Sequence, residues 1–321
     1  MKRKIYLHVG FHKTATTFLQ FNLFPNLKEV KLIRKSHAKE LFRRVRLNKL
    51  SDEDIVDLRQ KFDKKGSAKK PTLISYEGLT GSPFAQKKSK SAFNILEDLK
   101  RIFPEDLYDV NVIVGIRKQV DIMTSLYIEY LHQGGYKKEK VYFDELEKNG
   151  IFEHYLYNDY LNHVEQVFGN DYYVFIYENF KYEKEKYLLQ LLNYMGVKKI
   201  PKYSNEPLNR SYGALQAKMA RRLNTIFKTK KNPNGKIPET EIILKRKYSK
   251  KIVKKLMGRE KKKIPISPRT FLQNKLSYKL HYKRYKLSDE LRRKINDYYI
   301  DDNQMLAKRE GIELPEYYLK S

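Results

Sequence analysis

The stretch KIYLHVGFHKTATTFLQFNLF, residues 4–24, decides how the rest of the chain is read. Ile5, Leu7 and Val9 form an apolar run long enough for a buried strand, and Gly10 breaks it. His12, Lys13, Thr14, Ala15, Thr16 and Thr17 follow, and then Phe18, Leu19 and Leu23 recur at helical spacing. A strand that turns sharply into a helix aims free backbone N–H groups and the positive end of the helix dipole at one spot. Small and hydroxylated residues keep that spot open, and Lys13 adds a full charge. The stretch predicts an anion cradle suited to a phosphate or sulfate group.

The order differs from the nucleotide-binding P-loop, G-x-x-x-x-G-K-[ST], because Lys13 comes only three residues after Gly10 and precedes Ala15. The order G-x-x-K-T-x-T-T instead resembles the 5′-phosphosulfate loop of the sulfotransferases, whose donor is 3′-phosphoadenosine 5′-phosphosulfate (PAPS). That family usually has Gly at the position of Ala15, so the turn here must tolerate a methyl group. The resemblance makes His12 through Thr17 donor-binding residues, with Lys13 also catalytic.

Strands and helices alternate beyond this point. Short strands are predicted over 72–77 (TLISYE), 109–116 (DVNVIVGI) and 172–180 (YYVFIYENF). Helices are predicted around 37–47, over 52–62 after Ser51, over 91–103, from about Asp121 through Leu131, over 152–168 closed by Gly169, and over 187–195 closed by Gly196. Residues 28–70 read as a charged connector and 134–150 as loop. The alternation predicts an α/β fold, with a central parallel sheet and helices on both faces in a P-loop-like three-layer arrangement. In such sheets ligands sit beyond the C-terminal strand ends, and Lys13, Glu77 and Arg117 all fall at such ends.

Arg117 closes a strand and Ser125 lies eight positions on. In the sulfotransferases that pair binds the donor's 3′-phosphate, and the planar guanidinium fork suits two phosphate oxygens. Eight fully helical residues would separate the two by ~12 Å, so Lys118–Val120 is expected to be non-helical. Two weaker features resemble bacterial carbohydrate-type members of the family. One is the segment after the fourth strand, with Tyr177 and Glu178 at the strand end. The other is the N-x-S motif at Asn209 and Ser211, which the family places over the nucleotide.

Sulfuryl transfer to a hydroxyl needs a charge-stabilising cation and a group that takes up a proton. Lys13 is placed for the first. Glu77, where many relatives carry Glu, is the expected base, with His12 and His132 as substitutes and an ion pair to Lys13 or Arg117 as its structural role. The chain contains no cysteine and its seven histidines are scattered, so no metal site is expected. An ATP-dependent kinase is the rival enzyme, but neither a Walker loop nor a Mg²⁺-binding Asp at a strand end is evident. A non-enzymatic polyanion- or membrane-binding protein on a degenerate fold is the rival outside enzymes.

The net charge of +29 is uneven: residues 218–286 hold 24 Lys and Arg against three acids, which leaves only +8 elsewhere. The expected organisation is a donor-binding core over 1–217, a basic, mostly helical subdomain over 218–286, and a C-terminal helix in 287–321 that packs back on the core. The basic segment suits capture of a polyanionic carbohydrate or glycolipid acceptor, or peripheral contact with an anionic membrane; no specific nucleic-acid motif is present. No apolar run approaches the ~18–20 residues of a membrane span, and no leader is expected before the first strand, so a cytoplasmic protein follows.

Overall fold

The computed structural model describes residues 2–82, 90–204, 211–238, 240–242, 264–266, 272 and 283–320. Five parallel strands make one sheet: β1 (Arg3–His8), β2 (Lys31–Ile33), β3 (Thr72–Ser75), β4 (Tyr108–Ile116) and β5 (Tyr172–Ile176), in the order β2-β3-β1-β4-β5. The chain is therefore an α/β protein with a central parallel sheet and helices around it. Ile5, Leu7, Leu73, Ile74, Val112, Ile113 and Val114 are wholly buried, as expected of strands covered on both faces. In register His8 faces Ser75 on one side and Ile113 on the other, so β3, β1 and β4 present their C-terminal ends side by side.

The chain divides into two compact units. The first comprises Met1–Ile122, Glu145–Leu208 and Asp289–Ser321, and the second Met123–Asp144 and Asn209–Ser288. In the first unit, α1 (Thr16–Phe18) follows β1 and widens into a π-helical turn over Leu19–Leu23. Helix α2 (Lys35–Leu47) buries Ala38, Leu41, Phe42 and Val45 at helical spacing. Helix α3 (Asp52–Lys65) opens on a capping box in which Ser51 and Asp54 satisfy each other's backbone N–H groups. Helix α4 (Ala92–Ile102) is capped by Ser91. Phe62, Phe103 and Tyr108 interlock edge to face beneath these helices, with Phe62 and Phe103 4.7 Å apart.

Helix α5 (Gln119–His132) begins in the first unit, and α6 (Glu139–Lys148) follows. Helices α7 (Tyr157–Phe168), α8 (Tyr177–Tyr182) and α9 (Lys184–Tyr194) flank β5 in sequence. Gly169 and Gly196 close α7 and α9 at φ 83° and 74°, the left-handed conformation that a side chain disfavours. Helix α10 (Ala214–Ile226) lies in the second unit and α11 (Asp289–Ala307) in the first. The Asp302 carboxylate of α11 accepts from the backbone N–H groups of Tyr157, Asn158 and Asp159, so it caps the start of α7.

Four sequence expectations need correction. Helix α5 starts at Gln119, with the Asp121 and Ile122 N–H groups on the Lys118 carbonyl; the predicted non-helical stretch Lys118–Val120 shrinks to Lys118. The predicted strand 172–180 ends at Ile176. Its partner β4 also ends at Ile116, and the Tyr187 hydroxyl takes the Ile176 N–H at 2.6 Å. Tyr177 and Glu178 therefore open α8. The connector 28–70 holds the edge strand β2, and the expected loop 134–150 holds α6.

In the second unit, Asn224 of α10 donates to the carbonyls of Leu131 and Gly135, and Tyr285 bonds Glu139. Strands β6 (Thr240–Ile242) and β7 (Ile264–Ile266) pair antiparallel. Most of the basic segment 218–286 lies outside the described residues.

Candidate active site

Lys13, Glu77 and Arg117 follow β1, β3 and β4, the three adjacent central strands, at one edge of the sheet. After β1 the chain stays attached to β4 for three more residues: Val9 N–H bonds the Ile113 carbonyl and Phe11 N–H the Gly115 carbonyl. The buried Phe11 ring anchors the turn among His154, Tyr155, Tyr157 and Tyr160, with centroids 5.1–5.8 Å away. The chain then reverses through Lys13 (φ 69°) and Ala15 (φ 60°). Left-handed conformations cost a residue with a Cβ roughly 1–2 kcal/mol, and here two occur within three residues. Ala15 does place its methyl where glycine would be relaxed. Strain of this kind persists only where its surroundings enforce it.

Those surroundings are identifiable. Thr14 is fully buried, and its hydroxyl donates to the Phe11 carbonyl at 2.6 Å. A Cβ at Gly10 would lie 2.8 Å from the Thr16 methyl, and one at Gly115 would lie 2.7 Å from the Thr14 hydroxyl. Both glycines thus allow the loop to sit on the sheet edge. At the helix start, the Leu19 N–H bonds back to the Ala15 carbonyl, and the amides before it have no carbonyl one turn earlier.

Arg117 comes to the same loop. Its Nη1 donates to the Lys13 carbonyl at 3.2 Å, its guanidinium lies 4.5 Å over the Tyr177 ring, and its own carbonyl accepts from the Tyr157 hydroxyl. Two cationic side chains and a turn of backbone amides therefore share one small region.

Glu77 begins a 3₁₀ turn, Glu77–Thr80, directly after β3. The Thr16 hydroxyl donates to its carboxylate, and Lys35 Nζ of α2 lies 3.3 Å from the same oxygen. Glu77 thus forms an ion pair with Lys35. Burial by itself would raise the carboxyl's pKa; the Lys35 charge and the hydrogen bonds from Thr16 and Lys35 outweigh it, and the pKa falls below the ordinary value. Glu77 is ionised at neutral pH. Half-buried His12 is held neutral: burial lowers its pKa, the Glu77 charge opposes this, and Lys13, Lys35 and Arg46 lower it further.

Among the threonines, Thr14 and Thr16 spend their hydroxyl protons on Phe11 and Glu77, while Thr17 stands half-buried in the first helical turn. Ser125 is the seventh residue of α5 and belongs to the second unit. So does Ser211, which is exposed; Asn209 lies outside the described residues. His132 is enclosed within the second unit, its ring 3.8 Å from that of Tyr212 and its Nδ1 3.7 Å from Glu129. Lys35 and Gly115 escaped sequence reading. A glycine inside a strand was the available signal for the second; nothing in the sequence around Lys35 points 42 residues ahead to Glu77.

No family model matches the chain, and no curated protein matches it. Among solved structures, the chain is similar to a sulfotransferase from Alicyclobacillus acidocaldarius, with 16% identity, 64% of this chain and 87% of that chain covered, and a TM-score of 0.46. It is also similar to the sulfotransferase domain from the curacin biosynthetic pathway (13% identity, 63% and 76% covered, TM-score 0.32). A third is the sulfotransferase domain from the Synechococcus PCC 7002 olefin synthase (12% identity, 62% and 76% covered, TM-score 0.31).

Proposed function

We propose that this chain is a PAPS-dependent sulfotransferase that acts on a hydroxyl of a carbohydrate or glycolipid. The observation that carries the reading is the Arg117 guanidinium on the Lys13 carbonyl, which joins the two anion-binding elements of the sequence at one loop. The left-handed turn at Lys13 and Ala15, and the glycines that seat it, fit a loop wrapped closely around a small anion.

In this reading the loop amides and Lys13 hold the 5′-phosphosulfate and Arg117 binds the 3′-phosphate. The acceptor oxygen attacks sulfur, the bond from sulfur to the bridging oxygen breaks, and adenosine 3′,5′-bisphosphate leaves. Lys13 offsets the charge that grows on the departing oxygen. The acceptor's proton passes to Glu77, which Thr16 ties to the loop and which is ionised in advance. Its lowered pKa makes it a weak base, suited to a proton that moves as the new bond forms.

Calorimetric titration with adenosine 3′,5′-bisphosphate and with ATP–Mg²⁺ tests the reading. Wild type is expected to bind the bisphosphate, and Lys13→Ala to bind it about tenfold or more weakly, as loss of a charged hydrogen-bonding group implies. A preference for ATP–Mg²⁺ would replace the reading with that of a kinase.

A further inference from the structure

Arg117 and Lys118 stand between the last residue of β4 and the first of α5. The peptide that joins them therefore lies beyond the sheet ladder and ahead of the first helical hydrogen bond. Side chains take both of its polar groups. The Arg117 carbonyl accepts from the Tyr157 hydroxyl at 2.7 Å, and the Lys118 N–H donates to the Glu178 carboxylate at 3.1 Å. The ring of Tyr177, one residue before Glu178, lies against the Arg117 guanidinium. The first two residues of α8 thus hold Arg117 twice, by its backbone and by its side chain.

Glu178 is itself held. Its second oxygen accepts from the Tyr318 hydroxyl at 2.6 Å, and both residues are buried. A carboxylate is costly to bury unless its oxygens are hydrogen-bonded; here the Lys118 N–H and the Tyr318 hydroxyl each occupy one. Tyr318 belongs to the 3₁₀ turn Glu316–Leu319, which is fastened to the same stretch at two further points. Lys118 Nζ bonds the Tyr317 carbonyl, and Asn303 of α11 donates both to the Tyr318 carbonyl and to the Gln119 side chain. Tyr317 lies 199 positions beyond Lys118, so nothing local brings it there. All of these residues belong to the first unit. A side chain whose backbone and platform are fixed has less freedom to lose on binding than one that swings, and small misplacements of a positioning arginine are costly.

We infer that Glu178 and Tyr318 are positioning residues for Arg117: through the Glu178 carboxylate, the Tyr318 hydroxyl fixes the Arg117–Lys118 peptide and so the direction from which the guanidinium meets the donor's 3′-phosphate. The inference rests on the sulfotransferase reading for the identity of that phosphate; the hold on Arg117 stands on the hydrogen bonds alone. Neither residue touches the donor. Their effect is to keep the guanidinium aimed before the donor arrives.

The test is calorimetric titration of adenosine 3′,5′-bisphosphate and of 5′-AMP into wild type and four variants. Tyr318→Phe and Glu178→Leu are each expected to lower the preference for the bisphosphate about threefold to tenfold, as loss of one hydrogen bond implies, with 5′-AMP affinity unchanged. Glu178→Gln retains the preference, because its amide keeps an oxygen for the Lys118 N–H and turns an N–H toward the Tyr318 oxygen. Tyr299→Phe is the control. Its buried hydroxyl bonds the Phe152 carbonyl in the same unit, so it lowers the melting temperature as Tyr318→Phe does but leaves the preference unchanged. The preference is a ratio of two affinities of one folded protein, which lost stability alone does not move. The NMR resonance of the Arg117 side-chain Nε–H, assigned by its disappearance in Arg117→Lys, reads the same point without a ligand: it is rigid in wild type and mobile in Tyr318→Phe. If wild type prefers the bisphosphate and both Tyr318→Phe and Glu178→Leu keep that preference, the positioning role is overturned and the donor reading stands. An equal loss in Tyr299→Phe would overturn it too, since lost stability would then suffice. If wild type shows no preference, the donor reading falls and the resonance decides: mobility gained in Tyr318→Phe upholds the hold on Arg117, and unchanged rigidity overturns it.

Discussion

His8, the last residue of β1, shows how much the surroundings of the loop ask of single side chains. It is fully buried, with Nδ1 2.6 Å from the Ser75 hydroxyl, to which Gln20 also donates. Burial lowers its pKa to about 4, against a partial rise from Glu77. Above pH 6.5 the ring is neutral in both folded and unfolded chains, and its contribution to stability is complete. Below that, the unfolded chain takes up the proton first, so stability falls with pH until about 4, by about 1.4 kcal/mol per pH unit. The urea unfolding free energy of wild type should therefore drop about 2 kcal/mol more between pH 7 and pH 5 than that of His8→Gln. His154, held to about 3 by burial, and Asp302, raised to about 6 by burial, act alike in both proteins and cancel. Parallel losses would show that His8 is not buried neutral. At this scale Lys13 and Arg117 were legible because their chemistry is written in local order. Lys35 and Gly115 were not, since each matters only through a neighbour brought close by the fold.

Elements were legible where the sequence carries its own boundaries. Ser51 and Ser91 announce α3 and α4, and Gly169 and Gly196 end α7 and α9. Boundaries set from elsewhere in the chain were misplaced. β5 ends where its partner strand ends, although YENF continues the aromatic run, and β2 is only three residues on the edge of the sheet. The start of α7 is the same kind of case, for its cap comes from Asp302, 144 positions beyond Asn158. Asp302→Ala strips three backbone N–H groups of their acceptor and should cost about 2 kcal/mol in chemical denaturation, near the upper range for a lost helix cap. A change under about 0.5 kcal/mol would mean that water replaces the carboxylate there.

For the whole molecule, the alternation of strands and helices was enough to give the parallel sheet, and the sheet explains why residues from 13 to 117 meet at one edge. The charge asymmetry was equally plain in the sequence, yet most of 218–286 lies outside the described residues. Among the cations that the structure does place, Lys35 of α2 pairs with Glu77 and Arg117 bonds the loop at the Lys13 carbonyl. The proposed function rests on one site that reads both ends of a bisphosphate nucleotide. The most direct measurement is the affinity for adenosine 3′,5′-bisphosphate relative to 5′-AMP, by calorimetry, in wild type and Arg117→Ala. The predicted result is a wild-type preference of about tenfold to a hundredfold for the bisphosphate, as a charged hydrogen-bonded phosphate contact supplies, and its loss in Arg117→Ala with 5′-AMP binding retained. Equal affinities in wild type, or a preference undiminished by the substitution, would contradict it.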